Sequence, residues 1–260
     1  MMDRTFVKAR SDYRTAAEES VAHTFVRGLD AEDAFDPSNH LAALASRPLP
    51  ETIPDDAPRV LHISMYCYKS FPIRIFHVLS LKDGIDSHAV FFKNNFTNDH
   101  LPIKQRELDL LIELVEDVAP HLITFSVLAP YVMATRQVVA RIREVSDAKI
   151  MLGGKYPTIA PHEALEFVDY ACKGDGDLVM LRIHERLRNG EDLQGIRGLW
   201  HKDDDGQVVD MDQEILYQEM DHIPYPAIGE MQMHFIEKNA LSNVDPELFD
   251  DEMLIMAGRG

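Results

Sequence analysis

Between residues 59 and 188, short apolar runs alternate with stretches whose apolar residues recur at helical spacing. Runs at 60–65, 88–92, 122–126, 149–152 and 170–173 read as strands. Helical patterns at 72–82, 105–118, 132–145, 161–167 and 178–188 separate or follow them. Leu108, Leu111, Ile112, Val115 and Val118 hold the i, i+3, i+4 spacing of a helix packed on a sheet, and Val138, Ile142 and Val145 repeat it. This alternation predicts an α/β fold built from βαβ units, because parallel neighbours need a crossover that a helix supplies. Right-handed crossovers bring every strand's carboxyl end to one edge. Five such units suit a flavodoxin-like doubly wound parallel five-stranded sheet of order 2-1-3-4-5, with a crevice between its first and third strands.

The flanks read differently. Residues 1–58 form a helical N-terminal extension and a Pro-rich linker. Tyr13, Ala17, Val21, Phe25 and Leu29 recur every four residues and predict a helix ending near Gly28. A second short helix is expected from Asp36 as N-cap, with Pro37 at its first position, to just before Arg47-Pro48. Pro48, Pro50, Pro54 and Pro58 then extend the chain. Residues 59–190 are the Rossmann-like domain. Residues 191–260 hold a predicted β-hairpin, 196–202 with 207–211 around the acidic turn Asp203-Asp204-Asp205-Gly206, and a connector broken by Pro224 and Pro226. An acidic stretch at 245–252 leads into an apolar run at 253–257.

The 260 residues carry 44 acidic against 26 basic side chains, a formal charge of -18. That disfavours nucleic acid and anionic membrane as partners, since Lys and Arg patches hold both. No apolar run is long enough to span a bilayer and the N-terminus lacks a signal-peptide core, so a cytoplasmic location is expected. Cys67 and Cys172 are the two cysteines, and the twelve histidines are scattered without HExxH or His-x-His spacing. A metal site made by this chain is therefore not expected.

Chemistry concentrates where strands end. Gly153-Gly154-Lys155-Tyr156-Pro157-Thr158 follows the fourth strand, and Gly174-Asp175-Gly176-Asp177 follows the fifth. Glycine there permits a sharp turn and lets a ligand approach the main chain. Tyr66-Cys67-Tyr68 after the first strand, and Ser126 with Val127, Leu128 and Tyr131 at the third, should meet them at one edge. These loops are apolar and aromatic with a few hydroxyls, which suits a large, mostly neutral planar ligand. Asp175 and Asp177 as an acid–base pair is an alternative to their being solvated turn acids.

The two glycine turns resemble those of the N-terminal cobalamin (vitamin B12)-binding domain of cobalamin-dependent radical-SAM proteins, where Gly-Gly-x-His-Pro-Thr and Gly-Glu-Gly-Glu are usual. Here Tyr156 stands at the histidine, and Asp175 and Asp177 at the glutamates. Leu122-Ile123-Thr124-Phe125-Ser126, Ile196-Arg197-Gly198-Leu199-Trp200 and the connector at 221–226 are similar to further family segments, so the resemblance covers about residues 59–226. It implies that Ser126, Val127, Leu128, Tyr131, Gly153, Gly154, Lys155, Tyr156, Pro157 and Thr158 contact the corrin or its nucleotide tail. It also implies that Gly174, Asp175, Gly176 and Asp177 close the other wall, with Tyr66, Cys67 and Tyr68 facing the lower side of the cobalt.

Many cobalamin carriers place an axial histidine in Asp-x-His-x-x-Gly after the first strand. The loop here has no histidine, and Asp86-Ser87-His88 opens the second strand with Phe91 at the glycine position. Base-off, His-off cobalamin is expected, with cobalt carried by the cofactor and no metal ligand from this chain. The run at 253–257 before Gly258-Arg259-Gly260 resembles the first strand of a radical-SAM barrel. Such a barrel would hold S-adenosylmethionine and an iron–sulfur cluster, and the chain stops where its first cluster cysteine would be expected. The resemblance thus implies a cofactor domain with no catalytic residue of its own, belonging to a radical-SAM enzyme in which the barrel lies in cis, a methyltransferase or a cyclase. Two other classes stay open: a stand-alone corrinoid carrier or sensor, and a flavodoxin-like module for flavin or nucleotide.

Overall fold

The computed structural model describes residues 26–27, 35–94, 102–212, 214, 217 and 219–250. Its strands are β1 (Val26–Arg27), β2 (Arg59–Met65), β3 (Asp86–Phe92), β4 (Leu122–Ser126), β5 (Lys149–Gly153), β6 (Tyr170–Cys172), β7 (Leu199–Lys202), β8 (Val208–Asp210), β9 (Met233–Glu237) and β10 (Ala240–Ser242). Its helices are α1 (Pro37–Ala45), α2 (Phe71–Lys82), α3 (Gln105–Val118), α4 (Val132–Ile142), α5 (Lys155–Ile159), α6 (Pro161–Ala164) and α7 (Asp177–Asn189). Among the described residues the strands form one sheet in the order β1-β8-β7-β6-β5-β4-β2-β3-β9-β10.

The expected strands are β2 through β6. They stand side by side as β3-β2-β4-β5-β6, each parallel to its neighbour. The expected five-stranded sheet is corrected, however: these strands are the middle of a ten-stranded mixed sheet. The β7–β8 hairpin folds back so that β7 lies antiparallel to β6, and β9 adds in parallel beside β3 with β10 antiparallel outside it. Both flanks thereby cover edges that would otherwise present unpaired backbone.

Local chemistry explains the helix starts. Asp36 accepts from the backbone N–H of Ser38 and Asn39 at 3.0 and 3.1 Å, with Pro37 opening α1. Glu107 reaches back to the Lys104 N–H at 2.9 Å at the start of α3, and also takes the buried Lys93 ammonium at 2.7 Å. Three expected helices differ: α4 stops at Ile142, α6 is four residues long, and Val26–Arg27 is a strand parallel to β8 where a helix was expected. The rest of that N-terminal helix, and the apolar run at 253–257, lie outside the described residues.

The two sheet faces carry separate cores. Leu61, Ile63, Ile123, Phe125, Ile150 and Leu152 pack with α3, α4 and α6 on one face. Val60, Leu122, Met151 and Cys172 pack with α1, α2 and α7 on the other. Strand alternation makes this division, since successive residues point to opposite faces.

Candidate functional site

β4 and β5 end together, with Ser126 opposite Gly153. Val127 donates its N–H to the Gly153 carbonyl at 3.0 Å, and its own carbonyl accepts from the Tyr156 N–H at 3.2 Å. Gly154 between them has φ +96°, and a Cβ there would stand 2.9 Å from the Val127 oxygen and 3.0 Å from its nitrogen. The protein's own backbone thus demands glycine here, in keeping with the sharp turn expected of it. Thr158 on α5 then joins the two glycine turns. Its hydroxyl donates to the Gly154 carbonyl at 2.9 Å and accepts the Gly174 N–H at 3.2 Å.

Gly176 has a different role. A Cβ there would come within 2.6 Å of Cζ of Phe76, so glycine lets the start of α7 approach α2. Between these helices, over the carboxyl ends of β4, β5 and β6, lies a cleft of about 690 Å³. Phe71, Ile73 and Phe76 of α2 line one side, and Thr124, Met151 and Cys172 lie along the strands beneath. Ser126, Gly153, Gly154, Lys155 and Thr158 form the rim after β4 and β5. Gly174, Asp175, Gly176 and Asp177 close the far side.

Nine of the seventeen expected contact residues therefore meet at one cleft, and eight do not line it. Tyr66, Val127, Tyr131 and Tyr156 are buried in the core of the opposite face, Tyr66 stacked on Tyr131 with ring centroids 4.8 Å apart. Pro157 is buried in α5. Leu128 stands 45% exposed at the same strand edge. Cys67 is half-buried and takes the Ser64 hydroxyl on its carbonyl at 2.6 Å, with burial pushing its thiol upward. Tyr68 donates to Asp250 at 2.5 Å, which also receives Lys69 at 2.6 Å.

The lining residues that the sequence reading missed had a signal. Thr124 precedes Ser126 by two positions and Met151 precedes Gly153 by two, so period-two alternation places each on its partner's face. The aromatic wall of α2 carries no such local mark, because it comes from the helix that crosses beside the strand-order reversal.

Lys155, Asp175 and Asp177 are the charged residues of a largely apolar lining. No histidine lines the cleft. Burial, then the nearby Asp177 and Asp175, pushes the Cys172 thiol up to about 12, so it stays protonated. Asp177 is buried in the first turn of α7. Ile159, which lines the cleft, is 83% exposed, and Met133 at 76% joins Leu128 beyond the end of β4. His88 is stacked on His234, Nδ1 to Nε2 at 3.2 Å, and touches Gln232. Among the described residues no group of three or more His, Cys, Asp or Glu is placed to hold a metal ion, and no helix is long and apolar enough to cross a membrane.

No family model and no curated protein matches the sequence. Solved structures do. The chain is similar to the cobalamin-dependent S-adenosylmethionine radical enzyme OxsB with aqua-cobalamin and S-adenosylmethionine bound, with TM-score 0.53 and 14% identity over 66% of this chain and 24% of that one. It is also similar to the radical S-adenosylmethionine methyltransferase TsrM from Kitasatospora setae with cobalamin and a [4Fe-4S] cluster bound, with TM-score 0.50 and 18% identity over 65% of this chain and 31% of that one. The chain thus spans less than a third of either enzyme, and what it shares with them at these identities is the α/β fold.

Proposed function

We propose that this chain binds cobalamin at the cleft between α2 and α7, base-off and without a protein histidine on cobalt, as the cofactor-binding part of a cobalamin-dependent radical-SAM enzyme. The observation that carries the reading is the pairing of a cleft of about 690 Å³, largely apolar with Lys155, Asp175 and Asp177 as its charged lining, with exposed apolar groups at the same strand ends. Such a volume suits a drug-sized moiety. A whole corrinoid is larger, so the nucleotide tail takes the cleft and the ring lies across the edge bearing Leu128, Met133 and Ile159. The chain's own polar groups fit that division: Thr124, Ser126 and Thr158 offer hydroxyls along the cleft, and no histidine or thiolate competes for the metal. The likeness in fold to OxsB and TsrM, solved with cobalamin bound, supports the same reading.

When bound, cobalamin supplies a cobalt centre able to carry a methyl group or an electron. This chain's part is to hold, orient and shield the cofactor; Cys67 and Cys172 are too few thiols for an iron–sulfur cluster. Cluster and S-adenosylmethionine chemistry therefore belong to a barrel in cis, in a methyltransferase or cyclase. The ligation state is tested by reducing bound cofactor to cob(II)alamin and recording its EPR spectrum. Lines without nitrogen superhyperfine structure are expected, and threefold splitting from an axial nitrogen would overturn the assignment.

A further inference from the structure

The pairing of β5 with β6 ends before the two glycine turns begin. Its register runs through Met151–Tyr170 and Leu152–Ala171, and the strands then part. Beyond that point the sheet no longer sets the distance between the turns. The turn after β5 is fastened to β4, since Val127 donates to the Gly153 carbonyl at 3.0 Å and its own carbonyl takes the Tyr156 N–H at 3.2 Å. The turn after β6 is tied on its other side, where Lys173 donates to the Gly198 carbonyl at 2.9 Å. Gly174 follows with φ +87° and leads through Gly176 into α7.

The Thr158 hydroxyl spans this gap. Its Oγ1 lies 2.9 Å from the Gly154 carbonyl oxygen and 3.2 Å from the Gly174 nitrogen. The partners themselves fix the direction of both bonds, because a backbone carbonyl only accepts and a backbone N–H only donates. The single hydroxyl proton therefore goes to Gly154, four residues earlier, in the back-bond that serine and threonine make within helices. A lone pair receives the Gly174 N–H. Thr158 lines the cleft, yet toward a ligand it keeps one lone pair and no proton.

We infer that Thr158 is a positioning residue for the cofactor. Its hydroxyl holds the wall of Gly174, Asp175, Gly176 and Asp177 at a set distance from the rim at Gly153 and Gly154, and it acts on the ligand through that wall. A wall held in place before the ligand arrives costs less to order on binding, so the hydroxyl adds affinity that no contact with the ligand supplies. The inference rests on the corrinoid reading of the cleft and gives one of the expected contact residues a different part in it. Thr158→Val keeps the shape of the side chain and removes both bonds, whereas Thr158→Ser keeps them.

Two measurements on the whole chain separate positioning from its rivals. Amide exchange at Gly174, read from ¹⁵N–¹H spectra without ligand, should quicken by about twofold to tenfold in Thr158→Val, the worth of one hydrogen bond, and stay near wild type in Thr158→Ser. The dissociation constant for hydroxocobalamin should rise by a similar factor in Thr158→Val and hardly change in Thr158→Ser, at a temperature where circular dichroism shows each protein folded. Thr158→Ala, with no bulk to accommodate, should follow Thr158→Val in both. A bond that serves the fold alone would move the exchange and leave the affinity. A direct ligand contact would move the affinity and leave the exchange. Either pattern overturns the inference, as does a Thr158→Val protein in which neither changes. A wild type that retains no hydroxocobalamin overturns the corrinoid reading and the positioning of that ligand with it, while the exchange at Gly174 still decides whether Thr158 holds the wall.

Discussion

Gly153 and Gly154 are neighbours with opposite reasons for being glycine. At Gly154, φ +96° and the Val127 backbone at 2.9 Å exclude any side chain, whatever occupies the cleft. At Gly153, a Cβ would meet only the Phe125 carbonyl at an ordinary 3.6 Å, while the residue lines the cleft. Gly154→Ala should therefore lower the melting temperature by several degrees, from a cost of roughly 1–3 kcal/mol for strained backbone. Gly153→Ala should leave it nearly unchanged and weaken corrinoid binding. Thermal melts and equilibrium dialysis of both variants check the pair; a stable Gly154→Ala protein would mean that the turn is not held as described.

At the scale of elements, β2 through β6 were legible because each is a buried apolar run bounded by glycine, proline or polar residues, and α3 because its stripe is long and regular. The β9–β10 hairpin was not. Its turn is Lys238-Asn239, both at positive φ (53° and 63°), with Glu237 paired to Ala240. That geometry is the two-residue hairpin turn usually signalled by Asn-Gly or Asp-Gly, and Lys-Asn does not announce it. Nor did sequence show that the acidic stretch beginning at Asp245 would turn inward. The glycine turns pointed to the cleft rim, whereas the α2 wall needed strand order, which no local pattern contains.

Asp245 is the anchor of that C-terminal segment. It forms a two-pronged pair with the buried Arg74, Nη1 to Oδ2 at 2.7 Å and Nη2 to Oδ1 at 2.8 Å, and accepts the Gly229 N–H at 2.9 Å. Arg74 also donates to the Ala227 and Tyr68 carbonyls. Asp245→Ala removes the two-pronged partner of a buried guanidinium that keeps Glu247 at 3.0 Å from its Nε, a loss of roughly 1.5–3 kcal/mol. Denaturant titration should record that drop, and a loss below about 1 kcal/mol would show that the pair does not pin the segment.

For the whole molecule, buried histidines set the response to acid. Burial lowers His62, His77 and His184, with His77 brought down to about 4 from 6.5. Between those values the unfolded chain takes up protons that the folded chain refuses. Stability is therefore full above pH 6.5 and falls as pH drops toward 4. The Asp83 and Asp245 carboxyls, held below their ordinary range despite burial, add a further loss at lower pH still. Melting temperature should fall by roughly 5 °C or more from pH 7 to pH 5, and a flat profile over that interval would contradict the neutral, buried imidazoles.

Corrinoid binding at this cleft is tested most directly by hydrogen exchange of the chain with and without hydroxocobalamin, read by mass spectrometry. Retention of the red cofactor should come with slowed exchange at residues 151–159 and 172–177 and at the start of α2, and with unchanged exchange across β9 and β10. Protection confined to other segments, or a chain that emerges colourless from desalting with no change in exchange, would contradict it.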